Sequence, residues 1–151
     1  MTKRMTIAAL SLCGVFLSTY LSLYKLGYIG AIVCGTGGCE TVQTSKWALF
    51  LGVPVAVWGV GFYLAMVVTA ALGTFGGYAE RKWPSIAMVM MSGWGALFSG
   101  WLTYLEIAEI HAICRYCVVS AILVGILFVL SVLDWRTPRD EYSVPIEGVD
   151  A

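Results

Sequence analysis

Charge is what this sequence has least of. Asp, Glu, Lys and Arg make up 12% of its 151 residues, about half the share of a typical soluble globular domain. Nine basic residues balance nine acidic ones, and these few charges gather outside long apolar runs. A nucleic-acid binder working through a basic surface is therefore excluded. The first apolar run follows Lys3 and Arg4 like a signal peptide, yet no convincing small-x-small cleavage site follows it, and the run is long. It is expected to be an uncleaved span. No stretch is left over for a second domain.

What the sequence does have is hydrophobic length: 60% of its residues are hydrophobic. Residues 5–24, 49–72, 85–105 and 114–133 each supply the roughly 20 apolar residues needed to cross a bilayer core. Links of about 12 and 8 residues make consecutive spans antiparallel neighbours. Small residues recur at four-residue spacing in every span: Gly14, Ser18, Ser22; Gly61, Ala65, Thr69; Ser92, Ala96, Gly100; Ala121, Gly125. Such stripes let helices approach closely in lipid. The expected fold is an all-α integral membrane protein, a four-helix transmembrane bundle over residues 1–133 with a long external loop carrying a short surface helix. The polar remainder, residues 134–151, reads as a short cytoplasmic tail.

Orientation follows from the basic residues. Lys3, Arg4, Arg81, Lys82, Arg136 and Arg139 fall on one side of such a bundle, and Lys25, Lys46 and Arg115 on the other. Both termini are thus expected in the cytoplasm. The loop over 25–48 and the start of the fourth span then face outward, where disulfides persist. That loop contains "VCGTGGCETVQTSKW". Its glycines let the backbone fold back between Cys34 and Cys39. Residues 39–47 suit a short helix along the membrane surface, with Trp47 at headgroup depth. Gly52, Val53 and Pro54 are expected to open the second span.

Five cysteines divide as one, two and two. Cys13, within the first span, reads as a small apolar packing residue. Cys34/Cys39 and Cys114/Cys117 fall at one face of the membrane and admit three readings. They are inert staples, although a Cys-x-x-Cys disulfide in a regular helix is geometrically strained. They bind zinc, with or without His111, although structural zinc usually serves small soluble modules. Or they exchange disulfides. The third reading uses both pairs. Cys114, near the start of the fourth span, meets unpaired N–H groups and the positive end of the helix dipole. Arg115 adds positive charge, and both favour thiolates. Cys117, one turn deeper, would face a lipid-soluble oxidant, for which a quinone is the obvious carrier. His111, the only histidine, reads either as a solvated junction residue, the simpler reading, or as a group that shuttles protons to the quinone or lowers a thiol pKa. Glu106 and Glu109 read as marking the water boundary of the third span.

The order of a two-cysteine external loop, Ser45 within "TSKW", then "LGVPVAVWG", then Cys-x-x-Cys opening the fourth span resembles the vitamin K epoxide reductase family over nearly the whole chain. Within that family it resembles the bacterial quinone-linked disulfide oxidases. The resemblance implies that Cys34 exchanges with a separate thioredoxin-like partner and that Cys39 carries electrons to Cys114. It implies that Cys117 stands beside the quinone (ubiquinone or menaquinone), and that Ser45 assists the reacting cysteines by hydrogen bonding. It places Pro54, Trp47 and Ala121 with Cys117 around the quinone, and it implies no metal. Vertebrate members carry an asparagine early in the second span and a tyrosine four residues after the second Cys-x-x-Cys cysteine. Residues 53–60 offer no such side chain and position 121 is alanine, so quinone reduction is expected in place of epoxide reduction. The alternatives are a DsbB-like oxidase, whose Cys-x-x-Cys lies in the first external loop, and a non-catalytic membrane scaffold with structural cysteines or zinc.

Overall fold

A computed structural model describes residues 2–35 and 38–138. Its helices are α1 (Thr2–Lys25), α2 (Cys39–Thr44), α3 (Val55–Leu72), α4 (Gly76–Ala79), α5 (Trp83–Leu105) and α6 (Arg115–Arg136). A 3-10 turn (Lys46–Ala48) and a hairpin of β1 (Leu49–Phe50) and β2 (Val53–Pro54) precede α3, and a π-helical turn (Glu106–Ile110) extends α5. Four segments are long and apolar enough to cross a membrane: Lys3–Lys25, Val55–Leu72, Trp83–Ile110 and Arg115–Arg136. The expected all-helical, four-span fold is the one observed, with α2 as the short helix of the long loop. Each span packs beside the next, and α1 also packs on α6, which closes the ring of four.

Two boundaries differ from expectation. The second span starts at Val55, because Leu49–Pro54 fold into the hairpin. Leu51 (φ 54°) and Gly52 (φ 80°) form its two-residue tip, the left-handed pair that a tight hairpin requires. The Trp58 indole N–H donates to the Phe50 carbonyl at 3.2 Å, tying the hairpin to α3. At the other end, α6 runs to Arg136 with Asp134 buried inside the bundle. Asp134 is therefore part of the fold and not the start of the tail. Residues 139–151, including most of that expected tail, lie outside the described residues.

Lipid-facing surfaces are as apolar as the interior here, so small and hydroxylated residues mark the inside. Ser18, Ser22, Ser92 and Ser131 are buried. Each donates its hydroxyl to the carbonyl four residues earlier at 2.6–2.7 Å, which satisfies it without a neighbouring helix. Gly14 of α1 lies so close to the Tyr63 ring of α3 that a Cβ there would collide with it. That contact adjoins a core of Ile7, Tyr63, Met66, Ala70, Met88, Val124 and Leu127. The expected stripes hold on α1 but not throughout. A Cβ added at Gly61, Gly100 or Gly125 would meet nothing within 4 Å, whereas Gly59, Gly93 and Gly95 make the close approaches, to Ser18, Phe128 and Phe62. Cys13 is exposed on α1, so it faces outward and does not pack the interior.

The end opposite the cysteines is fastened by charge. Arg4 Nε donates to Asp134 Oδ2 at 3.2 Å with both side chains buried. The same guanidinium donates to Ser85 Oγ at 3.1 Å and to the Gly73 carbonyl. The Ser85 hydroxyl in turn donates to Asp134 at 2.7 Å. These four residues belong to the ends of α1, α3, α5 and α6. One ion pair thus joins all four spans.

Candidate active site

The cysteine end is assembled by three local stops in the chain. The first is the end of α1. Gly27, at φ 85°, lets Gly27 N–H reach the Tyr24 carbonyl and Tyr28 N–H reach the Leu23 carbonyl, each at 3.0 Å. This paired closure of a helix end needs a left-handed residue, which glycine supplies at no steric cost. The chain then returns toward α6. The Tyr116 hydroxyl donates to the Val33 carbonyl at 2.7 Å, and Tyr116 packs on Tyr20 with ring centres 5.6 Å apart.

The second stop is Gly38. Its N–H donates to the Ile113 carbonyl at 3.1 Å, and a Cβ on it would lie 2.6 Å from the Ala112 Cβ. Only glycine lets the loop press this closely against the start of α6. Cys39 follows at once as the first residue of α2 and is disulfide-bonded to Cys34, with Cα atoms 6.1 Å apart. Cys39 and Cys114 are both fully buried and share one cluster with Val42. Cys34 and Cys117 pack at its margin, and Cys34 is partly exposed.

The third stop joins α5 to α6. The last turn of α5 widens to π geometry, a feature common at functional sites. His111 then takes a left-handed conformation (φ 54°), and Ala112 N–H donates back to the Glu106 carbonyl at 3.2 Å. The reversal delivers Cys114 to the N-cap of α6 with no side-chain cap of its own. Glu106 fills that place: its Oε2 accepts the Cys114 N–H at 3.0 Å. The residue is 4% exposed, so it is not a mark of the water boundary.

Cys114 and Cys117 are free thiols, one turn apart. A hydrogen bond from the Cys117 thiol holds Cys114 below the ordinary thiol range, helped by the N–H groups of Tyr116 and Cys117 and opposed by burial and by the Glu106 charge. The helix terminus thus favours a thiolate on Cys114. Among the described residues no group of three His, Cys, Asp or Glu side chains is placed to hold a metal ion.

Beside the cysteines lies a cavity of about 350 Å³, within the size range of small-molecule sites. Apolar side chains including Leu17, Leu21, Trp58, Phe62, Phe98 and Leu102 make most of its wall. Among the described residues, Cys117 is the only cysteine lining it. Ser45 and Trp47 also line it, and the Ser45 hydroxyl donates to the Val42 carbonyl at 2.7 Å. That bond closes α2 and is not directed at a cysteine. Trp47 stands edge-on to Trp101, with ring centres 6.3 Å apart. Pro54 and Ala121 do not line the cavity; their neighbours Val55 and Ser120 do. Pro54 instead ends the hairpin and caps α3. The start of α3 contributes an apolar wall, but Gln43, Tyr63, Ser99, Thr103, Glu106 and Ser120 add polar groups from elsewhere.

Sequence reasoning missed Glu106, Gln43 and Tyr63. For Glu106 a signal existed, since a carboxylate within an apolar span ordinarily marks function. Gln43 and Tyr63 carry no such mark. A model of the vitamin K epoxide reductase family matches residues 5–132.

Proposed function

The chain belongs to the vitamin K epoxide reductase family, a group of quinone-reducing thiol oxidoreductases set in membranes, and from that premise we propose that it is a quinone-dependent disulfide oxidase. It reoxidises a separate thioredoxin-like partner and passes two electrons to a membrane quinone. Both termini lie in the cytoplasm and both cysteine pairs face the extracytoplasmic side. One observation carries this reading. Along a single path Cys34 is partly exposed, Cys39 and Cys114 are buried together, and Cys117 lines an apolar cavity.

The relay runs as thiol–disulfide exchange. A thiolate of the partner attacks Cys34 and releases Cys39. The Cys39 thiolate attacks Cys114 of the Cys114–Cys117 disulfide and expels Cys117. When the partner leaves, the Cys34 thiolate attacks Cys39 and expels Cys114. The lowered thiol pKa of Cys114 makes it a good leaving group in that step. The result is an outer disulfide and an inner dithiol. A bound quinone supplies an acceptor for two electrons and two protons. The protein's part is to hold Cys117 against the apolar cavity, exclude water from it and direct electrons inward through Cys114. Ser45 closes α2 and so positions the cavity wall beside Cys39. Trp47 forms part of that wall, with Trp101 packed edge-on against it.

Two assays on the purified protein test this. Quinol formation should require the reduced thioredoxin-like partner or a small dithiol, and vitamin K epoxide should be a poor substrate. In Cys117→Ala the thiol that would reverse the inner exchange is gone, so non-reduced digests should contain a Cys39–Cys114 disulfide and quinone reduction should stop. A Cys34–Cys114 bond would reverse the order of the loop cysteines. Quinone reduction persisting in Cys117→Ala would end the proposal.

A further inference from the structure

Glu106 is the one carboxyl group among the described residues that lines the cavity, and the relay above leaves it without a part. It is buried at the junction of α5 and α6. One oxygen accepts the Cys114 N–H at 3.0 Å. The same carboxyl and the Cys117 thiol line one cavity and interact electrostatically. Burying a carboxylate costs several kcal/mol unless hydrogen bonds or charge offset it. A cap for α6 alone would need nothing more than a serine or asparagine. The ionisable group in that place therefore calls for a chemical reason.

Cys114 caps α6 and Cys117 follows one turn later, so the sulfur at the cavity has the Cys114 sulfur on one side and shares the cavity with the Glu106 carboxyl. Electrons can leave through Cys117 only when its thiol proton moves elsewhere. Of these two neighbours, Cys114 and Glu106, only Glu106 also faces the cavity.

Resting on the quinone-reducing reading, we propose that Glu106 is the catalytic proton carrier of this enzyme, taking the Cys117 proton and delivering it to a quinone oxygen. The step balances. The inner pair enters as a Cys114 thiolate and a Cys117 thiol. Glu106 accepts the Cys117 proton, the Cys114 sulfur bonds to the Cys117 sulfur, and the two electrons released pass to the quinone. One of the two protons required comes through Glu106. The other comes from water and replaces the proton Cys114 lost on ionising. Disulfide and quinol are the products.

Glu106→Gln tests this, because it keeps an acceptor oxygen for the Cys114 N–H and nearly the same volume but cannot carry the proton. Pre-reduced variant should reduce a short-chain ubiquinone about 100-fold more slowly than the unaltered protein, the lower end of what general acid–base catalysis contributes. Reduction of the Cys34–Cys39 disulfide by dithiothreitol should proceed at the unaltered rate. A second readout is rescue by the conservative variant. Glu106→Asp keeps a carboxyl group that can carry the proton, so it should reduce the quinone about 10-fold faster than Glu106→Gln. Should Glu106→Gln not fold, Glu106→Ala takes its place in that comparison. Quinone reduction by Glu106→Gln within about threefold of normal, or no faster in Glu106→Asp than in the variant without a carboxyl group, overturns the proposal. So does loss of quinone reduction together with outer-disulfide exchange and thermal stability, which would make Glu106 a cap only. If the unaltered protein reduces no quinone, the failure lies in the disulfide-oxidase reading itself.

Discussion

The buried Arg4–Asp134 pair offers a stability test whose size follows from geometry. At 3.2 Å and an effective dielectric near 20, two unit charges attract by about 5 kcal/mol. Both side chains are almost wholly buried, so little of this is screened by solvent. Replacing one partner also strands the other charge, and breaking a buried pair typically costs about 3–5 kcal/mol. Arg4→Met and Asp134→Leu should each lose an amount in that range. The double variant should recover to within about 1–2 kcal/mol of the unaltered protein, since it buries no unpaired charge. The remainder reflects the Gly73 carbonyl and Ser85 hydroxyl, which lose their guanidinium donor. Reversible unfolding in mixed detergent micelles, followed by circular dichroism, gives the three free energies and their coupling. Dithiol oxidation per folded molecule should be unchanged, because the pair sits at the end remote from the cysteines. Single variants each losing less than about 1 kcal/mol, or a double variant whose losses simply add, would refute the reasoning.

Three further outcomes are expected. A membrane-impermeant thiol reagent applied to intact, reduced cells should label Cys34, and labelling that needs permeabilisation would invert the orientation. In the reduced protein, Cys114 alkylation should persist below the ordinary thiol range because its lowered pKa keeps the thiolate populated as pH falls; Cys117→Ala removes the thiol donor, so the midpoint should rise, and an unmoved midpoint would show that the helix end alone sets it. Gly38→Ala puts a methyl group 2.6 Å from the Ala112 side chain, a clash costing about 1–3 kcal/mol, and in a Cys117→Ala background it should lower the yield of the Cys39–Cys114 disulfide, measured by mass spectrometry; an undiminished yield would mean the loop reaches α6 without that close contact.

Composition and run length determined the number of spans and the fold class, because a bilayer imposes a minimum apolar length on any helix that crosses it. The cysteine spacing set out the two pairs, and a surrounding pattern of loop, "TSKW" and Cys-x-x-Cys pointed to the family. What the linear order could not settle was which side of each helix faces inward. In lipid, outer surfaces are as hydrophobic as packed ones, so Gly61 and Gly125 read like packing positions while Gly59 and Gly95 hold them. Nor do runs of apolar residues reveal a hairpin at Leu49–Pro54, whose backbone is turned by two left-handed residues. Arg4 and Asp134 stand 130 positions apart, and only the closing of α6 against α1 makes them partners. Glu106 is eight residues from Cys114 in sequence, yet its contact with both inner cysteines depends on a widened helical turn and a left-handed His111. Chain length and solvent decide how many helices there are; the reversal of the backbone between α5 and α6 decides that a carboxyl group, two sulfurs and an apolar cavity meet at one point.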